Sequence, residues 1–226
     1  GSNTQVQYNS SGALAGSANM TFSGTALTLA NDASISGLTV GKGGGADQYN
    51  TAIGLGVLGS NTTGGSQNVG IGWNSLQNNT TGTNNVSVGM QALKSNTTAS
   101  DNSALGLRAL TSNTTGAFNT AIGSQSLYSN TTASNNTAVG YQVLYSNTTG
   151  ANNIGFGSPV AGFSSSTLYA NTTGTQNNAF GSSALGANTT GSENSAFGYL
   201  TLLNNTTGNS NTAYGNRSLY SNTTAS

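Results

Sequence analysis

The sequence predicts an all-β protein, a parallel β-solenoid of about ten 17-residue coils preceded by a short β-rich segment. Three observations predict this fold. A motif that begins with Asn recurs from residue 50 at spacings of 18, 17, 17, 17, 17, 17, 24, 17 and 17 residues, and a short fixed period is typical of solenoids. The units are dominated by Asn, Thr, Ser and Gly, which are poor helix formers. Each unit also carries two short apolar stretches separated by turn residues, as expected for two brief strands per coil.

Every unit follows the template seen at 119–132, which reads Asn, any residue, small, apolar, Gly, three variable residues, Leu, two variable residues and Asn-Thr-Thr. Gly or Ala follows the Asn-Thr-Thr triplet. This is turn chemistry, because Asn can bond to its own backbone and Gly accepts a positive φ. The units begin at Asn50, Asn68, Asn85, Asn102, Asn119, Asn136, Asn153, Asn177, Asn194 and Asn211.

Residues 1–49 lack the repeat and form the first of two expected domains, the second being the repeat domain 50–226. Apolar pairs at spacing two, such as Val6 with Tyr8, predict four or five short strands. The Gly-rich stretch 42–47 is expected to be a flexible junction. With so few large apolar residues, this segment is expected to cap the first coil or to interleave with two copies of itself.

Strand alternation divides each unit into two sets of side chains. We expect Ile53 and Leu58, with their equivalents, to form two apolar ladders inside the coil. Ala52 and Gly54, with their equivalents, would then form an outer strip that suits the close approach of another backbone. The alternative is that the Gly is only the corner of the coil. Because the core is thin, at about 4–6 kcal/mol of apolar burial per coil, we expect three parallel chains to pack along the strip as a homotrimer.

The coil that begins at Asn153 is seven residues longer than the others, with the extra residues somewhere within 158–167. Insertions in solenoids commonly leave the coil as surface loops, and Pro159 would fit poorly inside a ladder. We therefore expect the register at 177–181 to be unchanged and Phe163 to be exposed.

The composition excludes several classes of function. The chain has 4 Lys and Arg, 4 Asp and Glu and no net charge, so nucleic acid and anionic membranes are not expected partners. There is no His or Cys, which excludes the usual metal clusters and His-containing triads. Asp101 and Glu193 occupy equivalent positions but lie several coils apart. We expect no catalytic activity, no cofactor and no membrane insertion. The start without Met and the incomplete tenth unit suggest a fragment of a longer polypeptide.

Aromatic residues are the candidate receptor contacts, since exposed Tyr and Trp on a rigid β-surface can stack on sugar rings. Packing between coils or protomers is the alternative role for them. The candidates are Phe163, Tyr169, Trp73, Tyr128 and Tyr145.

The Asn-Thr-Thr triplets allow two further interpretations. Each matches the acceptor for N-glycosylation. Stacked Thr side chains about 4.8 Å apart could also order water, which makes ice binding an alternative. However, two adjacent Thr would point to opposite sides of an extended chain.

Motifs such as Asn-Thr-Ala-Ile-Gly at 119–123 and Asn-Thr-Ala-Val-Gly at 136–140 resemble the coil motif Ser-Val-Ala-Ile-Gly in the heads of trimeric autotransporter adhesins. Those heads are left-handed parallel β-rolls packed as trimers, with a shorter unit. The stretches 3–14 and 22–29 resemble the beginning of the shaft in bacteriophage tail-fibre proteins. This combination implies a homotrimeric, adhesin-like segment of a phage tail fibre. Its setting would be extracellular, on the virion, and its partner a cell-surface glycan or another host receptor. The alternative is an ice- or surface-binding solenoid or a glycosylated extracellular filament protein.

Overall fold

The computed structural model describes residues 5–10, 13–22, 27–29, 33–35, 38–45, 48–161 and 165–226. Within these ranges the chain is all β, without a helix. The strands are β1 Gln5–Ser10, β2 Ala13–Phe22, β3 Leu27–Leu29, β4 Ala33–Ile35, β5 Leu38–Gly41, β6 Thr51–Ile53, β7 Val69–Ile71, β8 Val86–Val88, β9 Ser103–Leu105, β10 Thr120–Ile122, β11 Thr137–Val139, β12 Ile154–Phe156, β13 Asn178–Phe180, β14 Ser195–Phe197 and β15 Thr212–Tyr214.

The ten strands β6 to β15 form one parallel sheet in which each strand pairs with the equivalent strand of the next unit. The pairing joins equivalent residues, so that Ala121 lies between Ala104 and Ala138, and Ile122 lies beside Leu105. Each unit is therefore one coil, and the predicted parallel β-solenoid is confirmed. At the usual strand spacing, ten coils extend over about 48 Å.

The segment before the repeat contains five strands in two arrangements. Strands β1, β2 and β3 form a separate antiparallel sheet. Strands β4 and β5 form a hairpin, and β5 pairs antiparallel with β6 by placing Val40 opposite Ile53. The backbone N–H of Gly54 also donates to the carbonyl of Thr39, at 2.8 Å. The hairpin thus covers the edge of the first coil, which is the capping role expected for this segment.

The prediction of which side chains point inward was wrong for the strands. Ala121 and its equivalents are buried inside the coil, whereas Ile122 is 40% exposed and Leu105 is 50% exposed. The Leu ladder is buried as predicted from Leu58 to Leu202, whereas Leu219 in the last coil is exposed. The residues expected to form an outer strip for a partner therefore line the interior.

The interior is too narrow for large side chains on both walls. The small residue of each strand faces the residue that precedes the ladder Leu of the coil before it. A Cβ at Gly155 would lie 2.6 Å from Cγ1 of Val143, and a Cβ at Gly70 would collide with Val57. Gly thus occurs in the coil that follows each of these two valines.

The Gly after each strand forms the corner of the coil, which is the alternative considered above for this position. Gly123 has a φ of 126°, which favours Gly, and a Cβ there would collide with the carbonyl of Gly140 in the next coil. This position is therefore determined by contacts within one chain.

The second apolar stretch of each unit is a turn, so the prediction of two strands per coil was wrong. Leu127 has a φ of 49° and Gln125 a φ of 57°, both in the left-handed region. The residue before each unit from Asn68 onward, such as Asn135 with a φ of 61°, is also left-handed. The Gly or Ala after Asn-Thr-Thr does not need a positive φ in most coils; Ala99 and Ala133 are small because they are buried.

The register is the same on both sides of the insertion, as predicted. Ile154 pairs with Asn178 and Phe156 with Phe180 across it. The backbone N–H of Ser183 donates to the carbonyl of Ser158, and Leu168 is buried in the Leu ladder. The seven additional residues are therefore 159–165. Phe163, predicted to be exposed, lies outside the described residues.

Candidate functional surfaces

Two ladders of buried Asn side chains hold successive coils together. In the first, Nδ2 of Asn130 donates to Oδ1 of Asn113 at 2.8 Å and to the carbonyl of Ala133 at 3.0 Å. In the second, Oδ1 of Asn119 accepts the backbone N–H of Asn136 at 3.0 Å. Because both ladders repeat along the coils, buried amides in this thin core find partners within the chain.

The first of these ladders consists of the asparagines of the Asn-Thr-Thr triplets. The nine from Asn61 to Asn205 are buried, and both Nδ2 hydrogens of Asn130 are engaged. A glycan on such a nitrogen would have to leave the interior through the coil wall. The geometry therefore disfavours N-glycosylation at these positions.

The two threonines of each triplet diverge, as the sequence predicts. In the eight inner coils the first is half-buried, and its hydroxyl donates to the next coil, as Thr131 does to the carbonyl of Thr148 at 3.1 Å. The second is exposed in every coil and forms one straight Thr column. Its members are Thr63, Thr81, Thr98, Thr115, Thr132, Thr149, Thr173, Thr190, Thr207 and Thr224.

The outward side of the parallel sheet is an uncharged surface, here called the outer sheet face, made by the first and third residues of β6 to β15. The third residues form an unbroken apolar column: Ile53, Ile71, Val88, Leu105, Ile122, Val139, Phe156, Phe180, Phe197 and Tyr214. In the last four coils the rings stack, with centroids 4.7 to 5.0 Å apart. Half-exposed apolar side chains thus run along the whole solenoid.

Three of the predicted receptor contacts pack against each other. The rings of Tyr128, Tyr145 and Tyr169 are stacked, with centroid distances of 5.0 and 5.2 Å and interplanar angles of 6°. Burial, followed by the neighbouring phenols of Tyr128 and Tyr169, raises the pKa of Tyr145. Both faces of Tyr145 are turned to other rings, which leaves mainly ring edges for a ligand.

Trp73, the remaining described candidate, is 46% exposed and follows the corner Gly of its coil. Tyr141 and Tyr199 occupy the same position in their coils and are 47% and 41% exposed. All three follow the Gly of the template, so the sequence places them in one column. We call it the outer column, and its members are Leu55, Trp73, Met90, Leu107, Ser124, Tyr141, Ser158, Ser182, Tyr199 and Asn216.

The acidic residues of the repeat do not converge. Asp101 accepts a hydrogen bond from Nδ2 of Asn84. Glu193 accepts one from the hydroxyl of Ser210 and lies five coils away from Asp101. Among the described residues, no three His, Cys, Asp or Glu side chains come together as a metal site. The same part of the chain contains no helix with the length and hydropathy of a membrane span.

Comparison with known proteins returned no match to a family model, a curated protein or a solved structure. The chain is thus described by its architecture, a β-solenoid repeat protein with coils of about 17 residues.

Proposed function

We propose that this chain is a structural and receptor-binding segment of an extracellular fibre, of the phage tail-fibre type, and that it assembles as a homotrimer through the outer sheet face. In this proposal its role is mechanical and adhesive, without catalysis. The observation that carries it is the continuous apolar column of half-exposed side chains along ten coils. The resemblance of the coil motif to trimeric adhesin heads, and of the first residues to a tail-fibre shaft, supports the same function.

The dimensions of the outer sheet face suit an interface between chains. Two side-chain columns over ten coils cover about 48 by 10 Å, or about 500 Å², which is in the range of the largest apolar patch on a typical monomer. Two such faces in contact would bury about 1,000 Å² in total, near the lower limit for a specific interface. In a trimer each chain shares this face between two neighbours, and three such faces would bury about 1,500 Å² in total.

A second copy of this chain is the occupant with the matching period. Its own column repeats at the same spacing, so every coil would meet an equivalent coil if the chains are parallel. Three-fold closure lets all three outer sheet faces meet at a common axis. The chain has few charges to oppose such contact, because only 4% of its residues are charged.

The assembly can be tested by placing a charge on the outer sheet face. Ile122→Asp should convert the trimer to monomer, because it would bury an unpaired carboxylate at the interface. Thr132→Asp, in the same unit but on the exposed Thr column, is the matched control and should remain trimeric. Light scattering gives the mass of each protein. A folded wild-type monomer at micromolar concentration would contradict the proposal.

Binding to ice or another ordered surface is the second candidate function, and the Thr column favours it. Ten exposed threonines at one position of successive coils form a rigid array with a spacing of about 4.8 Å. The first Thr of each triplet anchors the backbone beneath it through its hydrogen bond to the next coil. The predicted divergence of the two threonines leaves one exposed column and no doubled Thr face.

Thermal hysteresis separates the two functions. Under the fibre proposal, the wild-type protein shows no difference between its freezing and melting points. Hysteresis that disappears in a Thr115→Tyr, Thr132→Tyr double variant would establish ice binding instead. The pair Ile122→Asp and Val139→Asp is the control, because it lies on the outer sheet face and leaves the Thr column intact.

A further inference from the structure

Two basic residues lie in neighbouring coils on the wall that carries the Leu ladder. Lys94 follows the ladder residue Leu93, and Arg108 stands two residues before the ladder residue Leu110. Both basic side chains are half-buried. Nε of Arg108 donates to Oε1 of Gln91 at 3.0 Å, which directs the guanidinium toward the coil that contains Lys94. Because the whole chain has only 4 Lys and Arg, this placement concentrates positive charge at one point.

The position of Arg108 is adjacent to the column of residues that follow the ladder Leu. In the last coil Arg217 holds the same position as Arg108, and its Cζ lies 5.9 Å from the ring centroid of Tyr220, which follows the ladder Leu. In the coil of Arg108, the hydroxyl of Thr111 donates to the carbonyl of Gln91 at 2.9 Å. Side chains from these two positions therefore meet on the outer surface of the wall.

Tyr128 adds an aromatic face beside the two cations. It stands in the column after the ladder Leu, one coil after Thr111 and two coils after Lys94. One face of its ring is stacked on Tyr145, and the other is turned to the position of Thr111, whose side chain is small. Burial and the neighbouring phenols raise the pKa of Tyr145, and the charge of Arg108 opposes this rise, so the guanidinium acts on the Tyr stack. We call Lys94, Arg108, Thr111 and Tyr128 the basic patch.

The charge of the basic patch is not neutralised by the acidic residues of the repeat. Asp101 and Glu193 accept hydrogen bonds from an Asn and a Ser side chain. In the part of the chain that the structure describes, no carboxylate pairs with Lys94 or Arg108. Since Gln91 engages Nε of Arg108, the two terminal amino groups of the guanidinium remain for a ligand, and they match the two oxygens of a carboxylate.

The basic patch lies apart from the proposed trimer interface and from the insertion. The small residues of the strands face the residues that precede the ladder Leu, so the wall of the Leu ladder lies across the interior from the outer sheet face. Arg108 is three coils before the insertion, at about 14 Å for the usual strand spacing. At the end of the insertion, the hydroxyl of Ser183 donates to the carbonyl of Ser165 at 2.6 Å. This bond holds Ser165 toward the following coil, away from the basic patch.

We infer that the basic patch binds an acidic sugar, with the carboxylate on Arg108 and Lys94 and the sugar ring on the free face of Tyr128. Guanidinium and carboxylate form charge-assisted hydrogen bonds, and the apolar C–H face of a sugar stacks on a phenol ring. The hydroxyl of Thr111 keeps acceptor capacity for a sugar hydroxyl. The ligand class is thus a glycan that contains uronic or sialic acid. This inference rests on the proposed function as a receptor-binding segment and specifies the receptor class.

The test is titration calorimetry of the full chain with oligogalacturonates and sialyllactose, and with lactose as the neutral probe. At low salt we expect at least one acidic sugar to bind in the millimolar range or tighter, and lactose to show no measurable binding. Raising NaCl to about 0.5 M should weaken the binding, because salt screens the attraction between the carboxylate and the two cations.

Three substitutions remove one part of the basic patch each and introduce a residue that a neighbouring coil already has at the same position. Gln stands at positions 91, 125 and 142 of the Arg108 column and at position 77 of the Lys94 column, and Thr precedes Tyr128 at position 111. Arg108→Gln should weaken binding by about tenfold or more, the value of a hydrogen bond to a charged group. Lys94→Gln and Tyr128→Thr should each weaken it by about two- to tenfold.

Arg217→Gln is the matched control and should bind like the wild type. It removes a cation from the same position of the last coil, where Leu203 stands in place of Lys94. The inference is overturned if no acidic sugar binds, if lactose binds equally well, or if Arg108→Gln leaves binding unchanged. Light scattering on the same samples reports the trimer independently. A trimer that binds no acidic sugar would overturn the basic patch alone, whereas a monomer would contradict the proposed fibre.

Discussion

At the scale of single residues, the interior is a set of size-matched pairs between neighbouring coils. Val143 occupies space that an Ala at position 155 would need, and Gly155 stands there. Where both partners are polar they form a hydrogen bond. The hydroxyl of Ser75 donates to the hydroxyl of Ser87 at 2.7 Å. Stability therefore depends on pairs of residues one coil apart.

Gly155→Ala should destabilise the protein by about 1–3 kcal/mol, because the new methyl group overlaps Cγ1 of Val143. Val143→Ala in the same chain should restore much of this loss by vacating the space. Urea denaturation of the wild type, both single variants and the double variant measures the coupling. Additive effects of the two substitutions would show that the side chains do not compete for one space.

Phe118 is an exposed residue in the left-handed region, with a φ of 59°. Asn occupies the equivalent positions 84, 135 and 152 and tolerates this conformation better than most residues. Phe118→Asn should therefore raise the free energy of unfolding by about 0.5–1 kcal/mol, and Phe118→Val should lower it. A melting temperature that rises with Val would contradict this explanation.

The sequence could predict which residues share a side of each strand, but the assignment of those sides to interior and exterior was reversed. Alternation alone is symmetric, so Ile122 was placed inside on hydrophobicity. The informative signal was the uniformly small residue beside it, because a narrow coil closed by the Leu ladder accepts only Gly, Ala or Ser. The left-handed conformation of Leu127 has no comparable sequence signal, since Leu rarely adopts it.

At the scale of elements, each strand has three residues and depends on its two neighbours. The first strand of the solenoid, β6, obtains one neighbour from the antiparallel β5. The period and register of the coils were predictable because each unit can pair equivalent residues with the next unit in only one alignment. The role of β5 was only one of two alternatives, since short strands with turns do not specify a partner.

The strand pairing joins β12 directly to β13 across the insertion 159–165. Its deletion should leave the melting temperature nearly unchanged, because Ser158 and Ser166 then join as Ser124 and Gln125 do in a regular coil. Calorimetry of the deletion variant measures this. Deletion of 124–130, also seven residues, is the control and should unfold the chain because it removes Leu127 from the buried ladder.

At the scale of the whole molecule, the same contacts repeat from coil to coil and give the chain two long uncharged surfaces, the outer sheet face and the Thr column. The proposed trimer uses this regularity, because equivalent coils of the three chains would meet along the outer sheet face. The small-residue strip, from which the sequence predicts a trimer, is interior. The proposed trimer therefore uses the outer sheet face, which is a different set of residues.

The long coil that begins at Asn153 differs from all the other coils and marks one position along the solenoid. If all coils were equal, three chains could associate with an axial shift of one coil and still bury nearly the same area. Shifted assemblies would then form alongside the aligned one. The outer sheet face changes from aliphatic to aromatic side chains at Phe156, in the same coil that carries the insertion. In the proposed trimer, misaligned chains would place a ring against an aliphatic partner and the three insertions at unequal heights. The single irregular coil would then fix the register of the three chains.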